Sequence, residues 1–167
     1  MKYPIKMIMT DLDGTLLRTD KSISDYTKSV LNNCRKAGIK VVYATARGGS
    51  ANQVAPPELF DGRITMNGAV AYIDGNVVYN RLIPSQIARP LLAACDRRGL
   101  KTASEAGGMH YSNFTVTDIW PDIAYFEIVD FSRHDIDAEK LFAIVQTEEE
   151  AAFIENDLPD DLYNHLT

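Results

Sequence analysis

Hydrophobic residues in the first half of the chain form short runs that alternate with longer amphipathic stretches. The run from Ile5 to Met9 is too short for helical periodicity and predicts a buried strand. A helix is predicted next, beginning at a Ser22 or Ser24 cap and ending at Gly38. Residues 39–45 predict a second buried strand. The apolar positions that predict the helix recur at spacings of three and four, and they are Ile23, Tyr26, Val30, Cys34 and Ala37.

The same alternation continues to residue 83. Residues 46–62 predict a loop and a weak helix, which Pro56 and Pro57 interrupt. Residues 63–66 predict a third strand, and Asp74-Gly75 predicts the turn of a hairpin after it. Strands that alternate with helices are typical of a parallel sheet wound with helices, so residues 1–83 predict an α/β domain.

The pattern changes from Pro84 onward. A helix is predicted from Pro84 to Gly99, with Pro90 in its first turns or at a kink. Strands are then predicted within residues 107–117, 124–132 and 140–146, and a short helix within residues 148–158. Because this half has strands and helices of its own, residues 84–167 predict a second, α+β lobe.

Composition and charge narrow the classes of partner. The 167 residues are 46% hydrophobic and 24% charged, which is typical of a water-soluble globular protein. A net charge of −6 argues against nucleic acid or an anionic membrane as partner. The sequence contains neither an apolar stretch long enough to span a membrane nor a signal-peptide pattern. Cys34 and Cys95 lack metal-ligand spacing, which indicates reduced core thiols and a cytoplasmic location.

Two carboxylates follow the first predicted strand. Asp11 and Asp13 are separated by one residue, and Gly14 behind them permits a sharp turn. Alternate residues of an extended chain point the same way, so both acids are expected to face one spot. Two acids that close repel each other unless a cation or a proton lies between them. Asp and Gly are also ordinary turn formers, but a turn alone would not require this ordered set directly after a strand.

These residue types fit phosphoryl transfer. Asp11 is placed to attack phosphorus and form an aspartyl-phosphate, and Asp13 to protonate the leaving oxygen and then deprotonate water. The backbone N–H of Leu12, in the turn after Asp11, and the hydroxyl of Thr45 are expected to hold phosphoryl oxygens. A magnesium ion on Asp11 and Asp13 would offset the meeting of two anions.

The chain resembles a known superfamily at three places. The sequence DLDGTL at 11–16 is similar to motif I of the haloacid dehalogenase superfamily, and VVYATARG at 41–48 to its motif II. Residues 64–84 resemble the passage from core to cap in the Cof-type (subfamily IIB) phosphatases. The resemblance implies a Rossmann-like core over 1–83, a cap over 84–167, and magnesium-dependent hydrolysis of sugar phosphates or similar small metabolites. The implied phosphate and substrate residues are Leu12, Thr45, Ala46, Arg47 and Asn67. For Arg47, contact with the substrate and bracing of the cap are equally consistent with the sequence.

The chain departs from this family at two points. Ala46 stands where the family usually has Gly, which would be strained only if that position needs a positive φ. The family's core also continues after the cap with a motif III Lys and a motif IV acidic pair. Lys101 and Lys140 match no motif III context, and Asp160-Asp161 is more typical of a helix start. The sequence is therefore expected to be truncated before motifs III and IV, with crippled hydrolysis and weak magnesium binding.

Other functions are less consistent with the pattern. A phospho-receiver domain needs an acceptor Asp at the end of a later strand, where this chain has Thr45 and Asn67. A dinucleotide-binding domain needs a glycine-rich turn after its first strand, which DLDGTL does not provide. The alternative that remains is a truncated phosphatase fold that only binds phosphate or metal, or that serves an interaction. In this superfamily the motif I strand is flanked on both sides, so a truncated chain is expected to expose Ile5 to Thr10 as a sheet edge. It is then expected to form a homodimer there, or else to fold its second lobe back over the gap.

Overall fold

The computed structural model describes residues 4–121 and 123–157. They form an α/β fold with two sheets, as the sequence predicts. The chain divides into two compact units between Arg81 and Leu82. No helix within the described ranges is both long enough and apolar enough to cross a lipid bilayer.

The first unit is built on a five-stranded sheet in the order β1-β2-β3-β4-β5. The first three strands are parallel, and the last two form an antiparallel hairpin that adds to β3. Helices α1 and α2 connect the parallel strands, as alternating periodicity predicts. The bounds are β1 Met7–Asp11, α1 Asp25–Lys36, β2 Lys40–Ala44, α2 Ala51–Val54, β3 Gly62–Thr65, β4 Val70–Ile73 and β5 Asn76–Asn80.

Local signals account for the ends of these elements. The side chain of Ser24 accepts the N–H of Thr27 and caps α1. Gly38 follows the helix with a φ of 80°, which the missing Cβ permits. Asp74 and Gly75 both have positive φ between β4 and β5, the conformation that a tight hairpin requires.

One face of the first sheet is buried. Val41 and Tyr43 are fully enclosed there, and Leu31 of α1 packs into the same cluster as Leu12 and Phe60. Two residues predicted for the buried stripe of α1 lie outside it, because Tyr26 and Val30 are 80% and 40% exposed. The helix therefore buries a narrower stripe than the sequence predicts.

The opposite face, which we call the open face, carries apolar side chains that solvent reaches. Met7 and Met9 are 53% and 54% exposed, and they line a cleft of about 290 Å³ on this face. The prediction that the first strand is buried is thus wrong for one of its faces. Among the described residues β1 pairs only with β2, so the expectation that it forms a sheet edge is met. The open face consists of Met7, Met9, Val42, Ile64, Ala71, Ile73 and Val78.

The second unit has its own four-stranded sheet in the order β8-β7-β6-β9. Leu91 and Cys95 of α3 pack with Leu100 and Phe153 into one of its apolar clusters. Strand β6 is central in this sheet and was not predicted from the sequence, because Thr, Ser and Glu interrupt its apolar pattern. The bounds are α3 Ser85–Arg97, β6 Lys101–Ala106, β7 Met109–Ser112, β8 Phe126–Ile128, β9 Lys140–Ile144 and α4 Glu148–Ala152.

Candidate active site

The predicted site lies in the first unit, where parallel strands end. Asp11 is the last residue of β1 and is paired with Ala44, the last residue of β2. Thr45 follows directly, and its N–H donates to the carbonyl of Ile64 in β3. The carboxyl ends of the three parallel strands therefore meet at one edge, which is where open α/β sheets bind ligands.

Asp11 is fixed by the turn that begins after it. Its Oδ1 accepts the N–H of Leu12 at 2.7 Å, and the side chain of Leu12 is fully buried below the site. The N–H of Leu17 donates to the carbonyl of Leu12 at 2.9 Å and closes a single wide turn. Gly14 has a φ of 72° within this turn, a conformation that a side chain would strain. Asp13 is consequently placed by the turn and not by the alternation of an extended strand.

Asp13 is held by two cations. Arg47 donates from Nε to Oδ2 at 2.6 Å and from Nη2 to Oδ1 at 2.8 Å, which is a two-point ion pair. Lys21 Nζ lies 2.8 Å from the same Oδ1. The hydrogen bonds from Arg47 and then from Lys21 hold the pKa of Asp13 well below its usual range. The sequence predicts both Asp13 and Arg47 for this site, and the structure brings the two together.

The Arg47 loop is tied to its neighbours through backbone groups. The hydroxyl of Thr45, which is almost fully buried, accepts the N–H of Arg47 at 3.2 Å. The carbonyl of Arg47 accepts the N–H of Met66 at 3.0 Å, which joins this loop to the end of β3. Ala46 does not have a positive φ, so the Ala found where the family usually has Gly brings no strain. A hydroxyl that accepts one hydrogen bond still has its own proton to donate, as the predicted role of Thr45 requires.

Asn67 lies at the turn that follows β3. Met66 and Asn67 both have positive φ, at 54° and 53°. Asn adopts this conformation readily, whereas Met does so rarely. Asn67 is exposed and Met66 is buried, so the buried residue fixes the turn and leaves Asn67 accessible. The role of Asn67 in substrate binding stays a prediction.

The acidic residues fit a magnesium ion in part. Carboxylate oxygens are its preferred protein ligands, and Asp11 has one oxygen besides the one that accepts the N–H of Leu12. Both oxygens of Asp13 already have cationic partners. Within residues 4–121 and 123–157, no group of three or more His, Cys, Asp or Glu residues could hold a metal ion. Asp11 is therefore the better ligand, with substrate oxygens and water needed to complete the coordination.

The other acidic and basic residues that the sequence singles out are not among the described residues of the first unit. Asp160 and Asp161 lie outside the described residues. Lys101 and Lys140 belong to the second unit, where their ammonium groups lie over the rings of Phe114 and Phe142.

Two residues of the site were not predicted from the sequence. Met66 orders the end of β3 through a positive φ that no sequence pattern signals. Lys21 reaches Asp13 because the loop from Arg18 to Ser22 reverses the chain. The only signal for that reversal is Asp20, whose carboxylate accepts the N–H and hydroxyl of Ser22 in a local turn.

Known proteins resemble this chain in sequence. The model of the haloacid dehalogenase-like hydrolase family matches residues 8–167. The chain is 28% identical to a Haemophilus influenzae protein named "Putative phosphatase", over 96% of this chain and 62% of that protein. The chain therefore spans less than two thirds of the length of this relative.

Solved structures share the fold. A haloacid dehalogenase-like hydrolase from Bacteroides thetaiotaomicron superposes with a TM-score of 0.78 at 22% identity, covering 97% of this chain and 66% of that one. The subclass IIB sugar phosphatase BT4131 superposes with a TM-score of 0.71 at 24% identity, covering 89% and 62%. The fold, the motif I turn and the family match agree with the resemblance found in the sequence. The chain therefore belongs to the haloacid dehalogenase-like hydrolase family.

Proposed function

We propose that this protein is a magnesium-dependent phosphatase of sugar phosphates or similar small phosphorylated metabolites, acting in the cytoplasm through an aspartyl-phosphate. The observation that carries the proposal is the position of Asp11. Its carboxylate stands at the carboxyl end of β1, fixed by the N–H of Leu12, beside an acid that two cations hold. Family membership supports hydrolysis as the reaction class.

The first half-reaction uses both acids. A carboxylate oxygen of Asp11 attacks phosphorus, the bond from phosphorus to the ester oxygen breaks, and Asp13 supplies the proton that the leaving alcohol needs. Asp13 is ion-paired in the free protein, so the pair with Arg47 has to open before Asp13 takes up a proton. Arg47 then has donors to offer to substrate oxygens, which is the binding role proposed for it together with Thr45, Ala46 and Asn67. Leu12 can share this role only when its N–H leaves Oδ1 of Asp11, which accepts it in the free protein.

The second half-reaction regenerates the enzyme. Water attacks phosphorus, Asp13 accepts a proton from that water, and the bond between phosphorus and Asp11 breaks to release inorganic phosphate. Magnesium, when bound, would stabilise the charge where the carboxylate and the phosphate meet. Asp11 is the residue best placed to hold it, and Asp13 becomes a ligand only if its cations move away.

A second candidate is a protein that binds phosphate without efficient turnover. The small number of carboxylates around Asp11 in the described part of the chain favours it, since one or two carboxylates hold magnesium poorly. Each missing electrostatic contact costs catalysis about 3 kcal/mol or more. In that case the chain retains the anion site and loses most of its hydrolytic rate.

The test is hydrolysis of p-nitrophenyl phosphate with and without magnesium. We expect Asp11→Asn to abolish turnover, while Asp25→Asn, which changes an exposed carboxylate on α1, leaves the rate unchanged. Mass spectrometry of a quenched reaction should find a phosphoryl group on the peptide that contains Asp11. Turnover that survives Asp11→Asn would overturn the proposed mechanism. Phosphate binding that requires both magnesium and Asp11, without turnover in the unsubstituted protein, would select the second candidate.

We also propose a homodimer through β1 and the open face. The outer edge of β1 presents backbone groups that a second strand could pair with, and Met7 and Met9 beside it are half exposed. Met9→Lys places a charge on this surface and should convert a dimer to a monomer in light scattering. Val77→Lys is the matched control, since Val77 is equally exposed but lies on β5 at the other edge. A monomeric mass for the unsubstituted protein would remove this proposal.

A further inference from the structure

Lys21 lies at the tip of a loop that reverses the chain and leads back to the site. The N–H of Arg18 donates to the carbonyl of Ser22, and the N–H of Lys21 donates to the carbonyl of Arg18, both at 2.9 Å. Leu17 and Ile23, on either side of the loop, are buried in the core of the first unit. The loop therefore has a fixed base and a closed tip, and the tip carries Lys21 back to the end of β1.

The backbone at Lys21 is strained. Its φ is 64°, in the left-handed region that residues other than Gly, Asn and Asp rarely adopt. An exposed ion pair contributes little to stability, and the Lys21 side chain is 54% exposed. The ion pair therefore contributes too little to stability to account for a lysine at a position where Gly or Asn would be less strained. Strain of this kind is characteristic of residues that serve a site.

The position of the ammonium group suits a phosphoryl ligand. Nζ lies 2.8 Å from Oδ1 of Asp13. In the proposed reaction Asp13 must come within hydrogen-bond reach of the ester oxygen, which puts Nζ within about 6 Å of that oxygen, two hydrogen-bond lengths. An ammonium group has three donors, so Lys21 can keep Asp13 and bind a second anion together. The charges of Asp11, Asp13, Arg47 and Lys21 sum to zero, so a phosphate dianion needs a cation to turn toward it.

We propose that Lys21 binds the phosphoryl group of the substrate. Its positive charge offsets the repulsion between this group and the Asp11 carboxylate. This inference rests on the proposed function and adds a phosphate-binding residue to it. Arg47 spends two donors on Asp13, whereas Lys21 makes a single contact with the same carboxylate. Lys21 can thus turn toward phosphate without first releasing Asp13.

The test measures binding of inorganic phosphate by isothermal titration calorimetry in metal-free buffer at about pH 8, where phosphate is a dianion. Lys21→Asn removes the charge while Asn tolerates the left-handed backbone. Lys21→Arg restores the charge. Lys28→Asn is the matched control, because Lys28 makes an exposed ion pair with Asp25 on α1, outside the site. Circular dichroism confirms that each variant is folded.

We expect Lys21→Asn to weaken phosphate binding about tenfold, the loss of one charge-assisted hydrogen bond. Lys21→Arg should bind within about threefold of the unsubstituted protein, and Lys28→Asn should bind equally well. In an Asp13→Asn background, Lys21→Asn should again weaken binding about tenfold, because the contact is with phosphate itself. A role exerted only through Asp13 would disappear in that background.

Two other outcomes separate the two proposals. Equal phosphate binding by Lys21→Asn and the unsubstituted protein would overturn the role of Lys21 and leave the proposed phosphatase site standing. An unsubstituted protein that fails to bind phosphate in the calorimeter would overturn the phosphate site, and the role of Lys21 with it.

Discussion

The ion pairs of Asp13 predict how stability depends on pH. Arg47 and Lys21 lower the pKa of Asp13, so its carboxylate binds protons less readily in the folded chain than in the unfolded chain. Its contribution is then complete above the unfolded value of about 3.9 and is lost as pH falls toward the lower folded value. Asp13→Asn removes this contribution. The free energies of unfolding of the two proteins should therefore differ most at neutral pH and converge in acid.

The structure sets the size of the effect. The side chain of Asp13 is 39% exposed and that of Arg47 is 24% exposed, so solvent screens both pairs. Exposed pairs contribute about 0.2–1 kcal/mol each, and the two-point geometry with Arg47 favours the upper end. We expect Asp13→Asn to lower the free energy of unfolding by about 1–2 kcal/mol at neutral pH. The difference should start to shrink below about pH 4, be measurably smaller by about pH 3, and vanish only at still lower pH.

Urea denaturation followed by circular dichroism, at neutral pH and in steps down to about pH 3, measures this difference. Asp25→Asn is the control, because its carboxylate is 99% exposed and, among the described residues, pairs with Lys28 along α1. It should change the free energy by a few tenths of a kcal/mol at most. A difference for Asp13→Asn that is independent of pH, or a variant that is more stable at neutral pH, would refute the reasoning.

Three further predictions concern the fold. Tyr43→Phe should raise the free energy of unfolding by about 1 kcal/mol in urea denaturation, because the buried hydroxyl has no hydrogen-bond partner in the described structure; a loss would contradict this. Gly62→Ala should lower it by about 1–3 kcal/mol, since a Cβ there would lie 2.9 Å from the carbonyl oxygen of Tyr72; an unchanged urea midpoint would show that the sheet yields. Thr147→Ala should cost about 0.5–2 kcal/mol and speed amide exchange at Glu150, because it removes the capping box of α4; unchanged exchange would contradict it.

Periodicity and turn chemistry were enough to predict most of the first unit. Ser24, Gly38 and Asp74-Gly75 act on residues within a few positions of themselves, so their effects can be read from the sequence. The exposure of Met7 and Met9 could not be read in the same way, because it depends on which elements pack against β1. Strand β6 was missed for a related reason, since its Thr, Ser and Glu side chains are buried by neighbours distant in sequence.

The candidate site likewise combines residues that local sequence predicts with contacts that it does not predict. Asp11, Asp13 and Arg47 follow predicted strands, and their residue types and positions are enough to indicate phosphate chemistry. The two-point pair between Arg47 and Asp13 joins residues 34 positions apart, and no local pattern predicts it. Lys21 was missed because a reversed loop and a positive φ bring it to Asp13: Asp20 signals only a local turn, and no sequence pattern signals the positive φ of Lys21.

The order of the strands has a consequence for the time at which the site forms during synthesis. Asp11, Asp13, Lys21, Thr45 and Arg47 all lie within the first compact unit, on β1, β2 and the loops that follow them. Each parallel strand pairs with the strand nearest to it in the chain, so these contacts close short loops and are expected to form quickly. Domains emerging from a ribosome generally fold as units, the N-terminal one first. We therefore expect the ion-paired site to assemble on the nascent chain while the second unit is still being translated.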